Sequence, residues 1–343
     1  MRAILASKKG IQMTEQASEY FVIDAHCDTL MVLSGRSIDS KEKNSPSRDF
    51  FSDEPQAPVD LPKLKRGRVA CQVMALFLED DQCAHAFDAA SRMIDIFDSL
   101  VAASNSQFVQ VRSASDIRSA WGKGQTGALL SIEGAEALEG SLDRLDDFYA
   151  RGVRAVGITW NRRNAFGRGL KGEGEGGLTA LGKALVEKMQ EMGMVIDVSH
   201  LSEEGFDEVA ELTKGPFIAS HSNAREVCLH PRNLTDRQIR MIADHGGAVG
   251  CVFVPYFVAQ DPEACSLEAL IAHIDRIVDK GGIETCALGS DFDGYIQQEA
   301  SVIRNAGEFP LIYEALRKHG YSHADASKIL GENWLRVFED IMG

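Results

Sequence analysis

Three features of the 343-residue sequence predict an α/β protein folded as a single (β/α)₈ barrel, a TIM barrel, over residues 1–343. Eight short apolar runs recur along the chain. Amphipathic segments of helical period follow most of them. Polar side chains able to bind metal close five of the runs, always on the carboxyl side. In a parallel barrel that side is one rim, the rim where catalytic groups collect.

The runs are Phe21–Ala25, Val69–Phe77, Gly127–Ile132, Val153–Thr159, Met194–Val198, Pro216–Ala219, Gly247–Phe253 and Cys286–Gly289. Their continuous Val, Ile, Ala and Gly content suits strands buried on both faces. Helical patterns lie between them, at about 89–103, 142–151, 178–192, 203–213, 236–245 and 267–280. Ser202 and Thr235 stand where N-caps belong. Two closing helices are expected within 308–343, at 310–319 and 322–330. The polar stretch 34–62 reads as a long excursion after the first strand, with a charged run at 41–46. The glycine-rich Gly167–Gly177, carrying Glu173 and Glu175, reads as a flexible loop. No G-x-G-x-x-G opens a helix after a strand, which removes the dinucleotide-binding open sheet from consideration.

Composition narrows the function classes. With 44% hydrophobic and 25% charged residues the chain can bury a sizeable core. A formal net charge of −15 repels polyanions, so neither nucleic acid nor an anionic membrane is an expected partner. Seven scattered cysteines without a C-x-x-C pair read as buried thiols in a reducing compartment. The opening segment, Met1 to Lys9, lacks an apolar stretch long enough for a signal peptide, and the expected location is the cytoplasm.

The chemistry sits at the ends of the runs. The first ends in Asp24-Ala25-His26-Cys27-Asp28, the third in Ile132-Glu133-Gly134 and the fifth in Asp197-Val198-Ser199-His200. The sixth ends in Ser220-His221-Ser222 and the eighth in Ser290-Asp291-Phe292-Asp293. On a strand, His26 and Asp28 share a face, offering one nitrogen and one anionic oxygen to a divalent ion. A histidine simply bonded to a nearby aspartate would give the same pair. Two metals commonly share a bridging carboxylate, and Glu133 is the acid available at the third rim position. A helix-cap carboxylate is the competing reading of Glu133. Spacing leaves either Asp291 or Asp293 as a proton shuttle, and Asp24 either in the rim or supporting a ligand histidine. His85, His245, His273, His319 and His323 lie away from run ends and read as surface histidines.

At these residues the chain resembles the membrane (renal-type) dipeptidases, peptidase family M19, from about Phe21 to Phe338. The likeness is carried by the run ends just quoted, by His230-Pro231-Arg232-Asn233-Leu234 and by Gly331-Glu332-Asn333-Trp334. It implies two Zn²⁺ per chain, His26 and Asp28 holding one, His200 and His221 the other, with Glu133 bridging. It also implies Asp291 as the residue that handles protons, Arg232 as the receiver of a substrate carboxylate, and a homodimer. Trp160 and Asn233 stand beside them as expected substrate-binding residues. Animal members carry a Thr-His pair where this chain has Thr159-Trp160-Asn161, a departure that bears on substrate preference. The resulting expectation is a binuclear-zinc dipeptidase that cleaves the peptide bond of dipeptides with a metal-bridging hydroxide. Its rivals are a related amidohydrolase for N-acyl amino acids, lactams or phosphoesters, and a non-catalytic metal-binding scaffold.

Overall fold

A computed structural model describes residues 20–36, 48–296 and 300–343; the charged run at 41–46 lies outside them. Eight strands form the sheet: β1 (Val22–Cys27), β2 (Val69–Phe77), β3 (Phe108–Gln110), β4 (Thr126–Glu133), β5 (Val153–Gly157), β6 (Val195–Asp197), β7 (Val249–Cys251) and β8 (Cys286–Leu288). Every pairing is parallel, in the order β6-β5-β4-β2-β1-β8-β7. β3 was not expected from the sequence. It pairs with the start of β4 at Thr126–Ala128, on the edge that β5 takes over from Leu130 onward.

The sixth apolar run behaves differently from the other seven. Instead of a ladder strand it supplies two single parallel bridges, Asp197 to Ile218 and Ala219 to Val249. Ile218 N donates to Ile196 O at 2.9 Å, and Gly250 N donates to Ala219 O at 2.8 Å. These bridges join β6 to β7 and close the sheet into an eight-stave barrel. The segment then turns inward at once. A Cβ on Gly250 or on Gly289 would collide with the Ser220 carbonyl oxygen, so only glycine leaves room for that approach.

Alternation along the strands divides the core in two. Ile23, Ala25, Val73, Leu129, Ala155, Val195, Ile218, Ala248 and Ala287 fill the barrel interior. Leu130, Ile132, Val156 and Ile196 face outward, where helices such as Ala86–Ala103, Ala180–Glu191 and Leu267–Gly281 cover them. On β4 this period puts Leu129, Ser131 and Glu133 inside. The expected helix at 322–330 is instead a short turn of α-helix, His323–Ser327, a π-helical turn, Lys328–Glu332, and a final helix, Asn333–Met342. That last helix seals the amino-terminal mouth. Trp334 and Phe338, buried and stacked at 5.8 Å, join the interior cluster, and the Trp334 indole donates to Leu288 O at 2.8 Å. No helix among the described residues is long and apolar enough to cross a membrane.

Phe338→Ala removes an aromatic plug from a closed interior. The variant is expected to lose about 3–5 kcal/mol, read from urea unfolding at fixed metal concentration. A loss under about 1 kcal/mol would show that the final helix does not seal the barrel.

Candidate metal centre

Each polar group at the rim arrives by a distinct local device. Asp28 is the N-cap of the short helix Thr29–Leu33, yet its side chain caps no backbone N–H. The register of β1 against β2 slips between Asp24 and Cys27, and both Ala25 and His26 line the barrel interior. Asp24 therefore does not share the His26 face. Its carboxylate accepts from the Gln72 amide at 2.9 Å and from Ser290 N at 2.7 Å and Ser290 Oγ at 2.6 Å, which braces the loop after β8. His200 and Asp291 both hold left-handed backbone, with φ of 66° and 63°. Non-glycine residues adopt that conformation only where their surroundings enforce it, and such strain concentrates at working sites.

The side chains converge. His26 Nε2 lies 3.3 Å from Glu133 Oε2, 3.4 Å from Asp28 Oδ2 and 3.8 Å from Asp291 Oδ1. Glu133 Oε1, the other oxygen, lies 3.0 Å from His200 Nε2 and 3.6 Å from His221 Nε2. The two Nε2 atoms are 2.9 Å apart. His200 Nδ1 meets the side-chain oxygen of Asn161 at 3.0 Å, so Nδ1 carries the proton and Nε2 a lone pair. A Cβ on Gly294 would strike both Asp28 and Asp291, and glycine there lets the loop close over the carboxylates.

Electrostatics gives the cluster its sense. Burial, reinforced by the nearby Arg232 charge, pushes His200 down to about 3. Burial and the His26 charge push His221 well below the usual range, so both are neutral, the ligand form. Burial opposes a charge on His26, but the Glu133 and Asp28 carboxylates outweigh it and hold its pKa well up. The His26 charge in turn holds Glu133 low against its burial. Burial and the Glu133 charge raise Asp28 to about 6, and burial lifts Asp291 well above the carboxylate range. Three carboxylates thus surround one cationic position, which a metal ion fits. His26 Nε2 and Asp28 Oδ1 are buried without a hydrogen-bond partner. Two sets, His26/Glu133/His221 and His26/Asp28/Asp291, present donors close enough to share an ion.

A cavity of about 490 Å³ opens onto this cluster. Asp28, Glu133, His200 and Asp291 form its floor, and Met31, Phe77, Trp160, Val254 and Phe257 line its wall. Ion pairs stand at its mouth, Arg36 with Asp81 at 2.9 Å and Arg162 with Asp80 at 2.8 Å. Trp160 is half-buried, its ring 5.2 Å from Phe77 and 6.0 Å from His200. Arg232 does not itself line the cavity; only 5% exposed, it lies behind His200, donating to His221 O at 3.0 Å and Ser222 Oγ at 3.4 Å. Its Nε has no partner, and no carboxylate of the described residues forms an ion pair with it. A buried guanidinium in that state is costly unless an anion arrives.

Three expectations change here. Asn233 does not line the cavity; its amide donates to Cys228 O at 2.9 Å and Phe257 O at 2.8 Å, fixing the loop that carries Arg232. His273 is fully buried, with its Nδ1 accepting from Ala224 N and its Nε2 on Val258 O at 2.8 Å. Asp293, equal to Asp291 on spacing, is held by a two-pronged ion pair to Arg48 at 2.8–3.0 Å and by the Thr29 hydroxyl at 2.8 Å. Sequence reading did not find Asn161, Arg48 or the Asp24–Ser290 brace. Asn161 alone left a signal, as a polar residue just past the fourth run.

The profile of the membrane dipeptidases, peptidase family M19, matches residues 12–342. An uncharacterized protein in the pqqA 5′ region of Klebsiella pneumoniae is 36% identical over 263 residues, 74% of this chain and 96% of that protein. The dipeptidase verJ of Clonostachys rogersoniana is 29% identical over 83% of this chain and 76% of its own length. Among solved structures, a metallopeptidase from Rhodobacter sphaeroides bound to a phosphinate mimic of the dipeptide L-Ala-D-Ala superposes with a TM-score of 0.85. It is 29% identical, over 94% of this chain and 100% of that one. With its curled parallel sheet and a rim of histidines and carboxylates, the chain belongs to the membrane dipeptidase family, peptidase family M19, and is a metal-dependent dipeptidase.

Proposed function

We propose that this enzyme is a binuclear zinc dipeptidase in which His26 and Asp28 hold one ion, His200 and His221 the other, and Glu133 bridges them. The observation that carries this reading is the divided carboxylate of Glu133, one oxygen toward His26 and the other toward His200 and His221. Mixed imidazole and carboxylate donors suit zinc. When bound, two such ions supply the Lewis acidity that activates water and polarises the peptide carbonyl.

The chain's own residues do the rest. Asp291, on the cavity floor with its Oδ1 3.8 Å from His26 Nε2, is placed to take a proton from the attacking water and return it to the leaving amine. Arg232 offers a planar fork to the substrate's terminal carboxylate, the anion its buried charge lacks. That pairing favours dipeptides over longer chains, and the dipeptide mimic held by the Rhodobacter sphaeroides relative supports the same substrate class. Trp160 and Phe77 provide wall for a side chain rather than hydrogen-bonding chemistry. Seven unpaired cysteines, six of them buried, accord with a cytoplasmic enzyme, and family membership carries the expectation of a homodimer.

A panel of dipeptides, C-terminally amidated dipeptides, N-acyl amino acids and lactams tests the substrate. Free dipeptides are expected to be cleaved best. Arg232→Ala should lower their kcat/KM roughly 10–100-fold, the worth of a lost charge-assisted hydrogen bond, and affect amidated substrates less. Equal losses on both would remove the carboxylate role, and preferential cleavage of N-acyl amino acids or lactams would replace the dipeptidase reading.

Asp291→Asn should lower kcat by about 10²–10⁴-fold while the protein keeps its metal content. Asp293→Asn, which breaks the Arg48 clamp, should instead lower stability and keep most of the turnover. An inactive Asp293 variant beside an active Asp291 variant would reverse the assignment.

A further inference from the structure

Beside the metal cluster, the carboxylate of Asp197 does more than tie two segments together. Asp197 ends β6 and is buried. Its Oδ1 accepts the backbone N–H of Ser199 at 2.9 Å and of Ser220 at 3.0 Å. The Ser220 bond adds a side-chain tie to the backbone bonds that join β6 to the sixth segment. Its Oδ2 has a separate partner, the Ser220 hydroxyl. Ser220 Oγ in turn lies 2.7 Å from His221 Nδ1.

The direction of this chain of bonds follows from proton counting. An ionised carboxylate only accepts, and a serine hydroxyl has one proton to give. Ser220 donates that proton to Asp197, so its oxygen must accept from His221 Nδ1–H. The imidazole proton is thereby held on Nδ1, and the Nε2 lone pair points at Glu133 Oε1 and His200 Nε2. The neighbouring Ser199 hydroxyl accepts the His221 backbone N–H and sits 3.3 Å from Ser220 Oγ, which fits the same arrangement.

We infer that Ser220, oriented by Asp197, is a positioning residue that fixes His221 in the one tautomer able to bind metal through Nε2. The inference rests on the binuclear reading above for which metal is affected. His200 achieves the same end through the neutral Asn161 oxygen. His221 has an anion at the far end of its relay, which also makes it the more strongly donating imidazole.

An isosteric change separates this role from simple bracing. Asp197→Asn keeps an oxygen for the two backbone N–H groups, but its amide nitrogen donates to Ser220 Oγ. The Ser220 proton, no longer claimed by a carboxylate, is then free to go to His221 Nδ1, which moves the imidazole proton to Nε2. Ser220→Ala removes the guide without inverting it, and Ser220→Thr retains the hydroxyl.

The test uses full-length protein and two readouts. Zinc binding is measured by competition with a chromogenic chelator, and the tautomer of His221 by ¹⁵N NMR of metal-free, histidine-labelled protein. Asp197→Asn is expected to weaken one of two zinc sites about 10–100-fold and to show His221 protonated at Nε2. Ser220→Ala should weaken the same site by no more than this, and Ser220→Thr should match the unmodified protein. Unchanged zinc affinity together with an unchanged Nδ1–H signal in Asp197→Asn would overturn the inference, as would Ser220→Thr binding as poorly as Ser220→Ala. Unmodified protein that took up fewer than two zinc ions would instead overturn the binuclear reading, and the NMR signal would still decide the relay.

Discussion

Asp28, Glu133 and Asp291 bring three carboxylates into a buried space around His26, each within 3.8 Å of its Nε2. Like charges so placed repel, and burial in low dielectric makes each one harder to ionise. His200 and His221 add two more nitrogens whose lone pairs face each other at 2.9 Å. Such an assembly persists only if cations occupy it and the scaffold resists its spreading. The rest of the rim can be understood as the means of that resistance.

The resistance is distributed around the barrel. Asp24 ties β1 to Ser290 and so fixes where Asp291 emerges. Arg48 and Thr29 hold Asp293, two residues further on. Asp197 joins the end of β6 to the segment bearing His221. The left-handed backbone of His200, Asp291 and Asp293 stores strain that these bonds compensate. None of the three aspartates in these braces enters the ion cluster, yet each sets the position of a residue that does.

The architecture was legible because strands buried on both faces are continuous apolar runs, and because polar residues at their carboxyl ends stand out against them. His26, Asp28, Glu133, His200, His221 and Asp291, drawn from five separate runs, do meet in space. What sequence could not show was set by contacts across the chain. β3 has three residues and no alternation long enough to notice. The sixth run has a strand's composition, but its path depends on glycines 250 and 289 far along the chain. Asp291 and Asp293 are equivalent by spacing; Arg48, 245 residues away from Asp293, separates them. Asn233 was linked to substrate by its place beside Arg232, whereas its amide faces backbone carbonyls.

Every role proposed for the rim depends on Glu133 joining two ions. Metal analysis of the unmodified protein and of Glu133→Gln, each saturated with zinc and freed of excess, tests that claim most directly. A neutral amide cannot balance two dications, so the account predicts two equivalents in the unmodified protein and at most one in the variant. One equivalent in both proteins, or two in both, would contradict it.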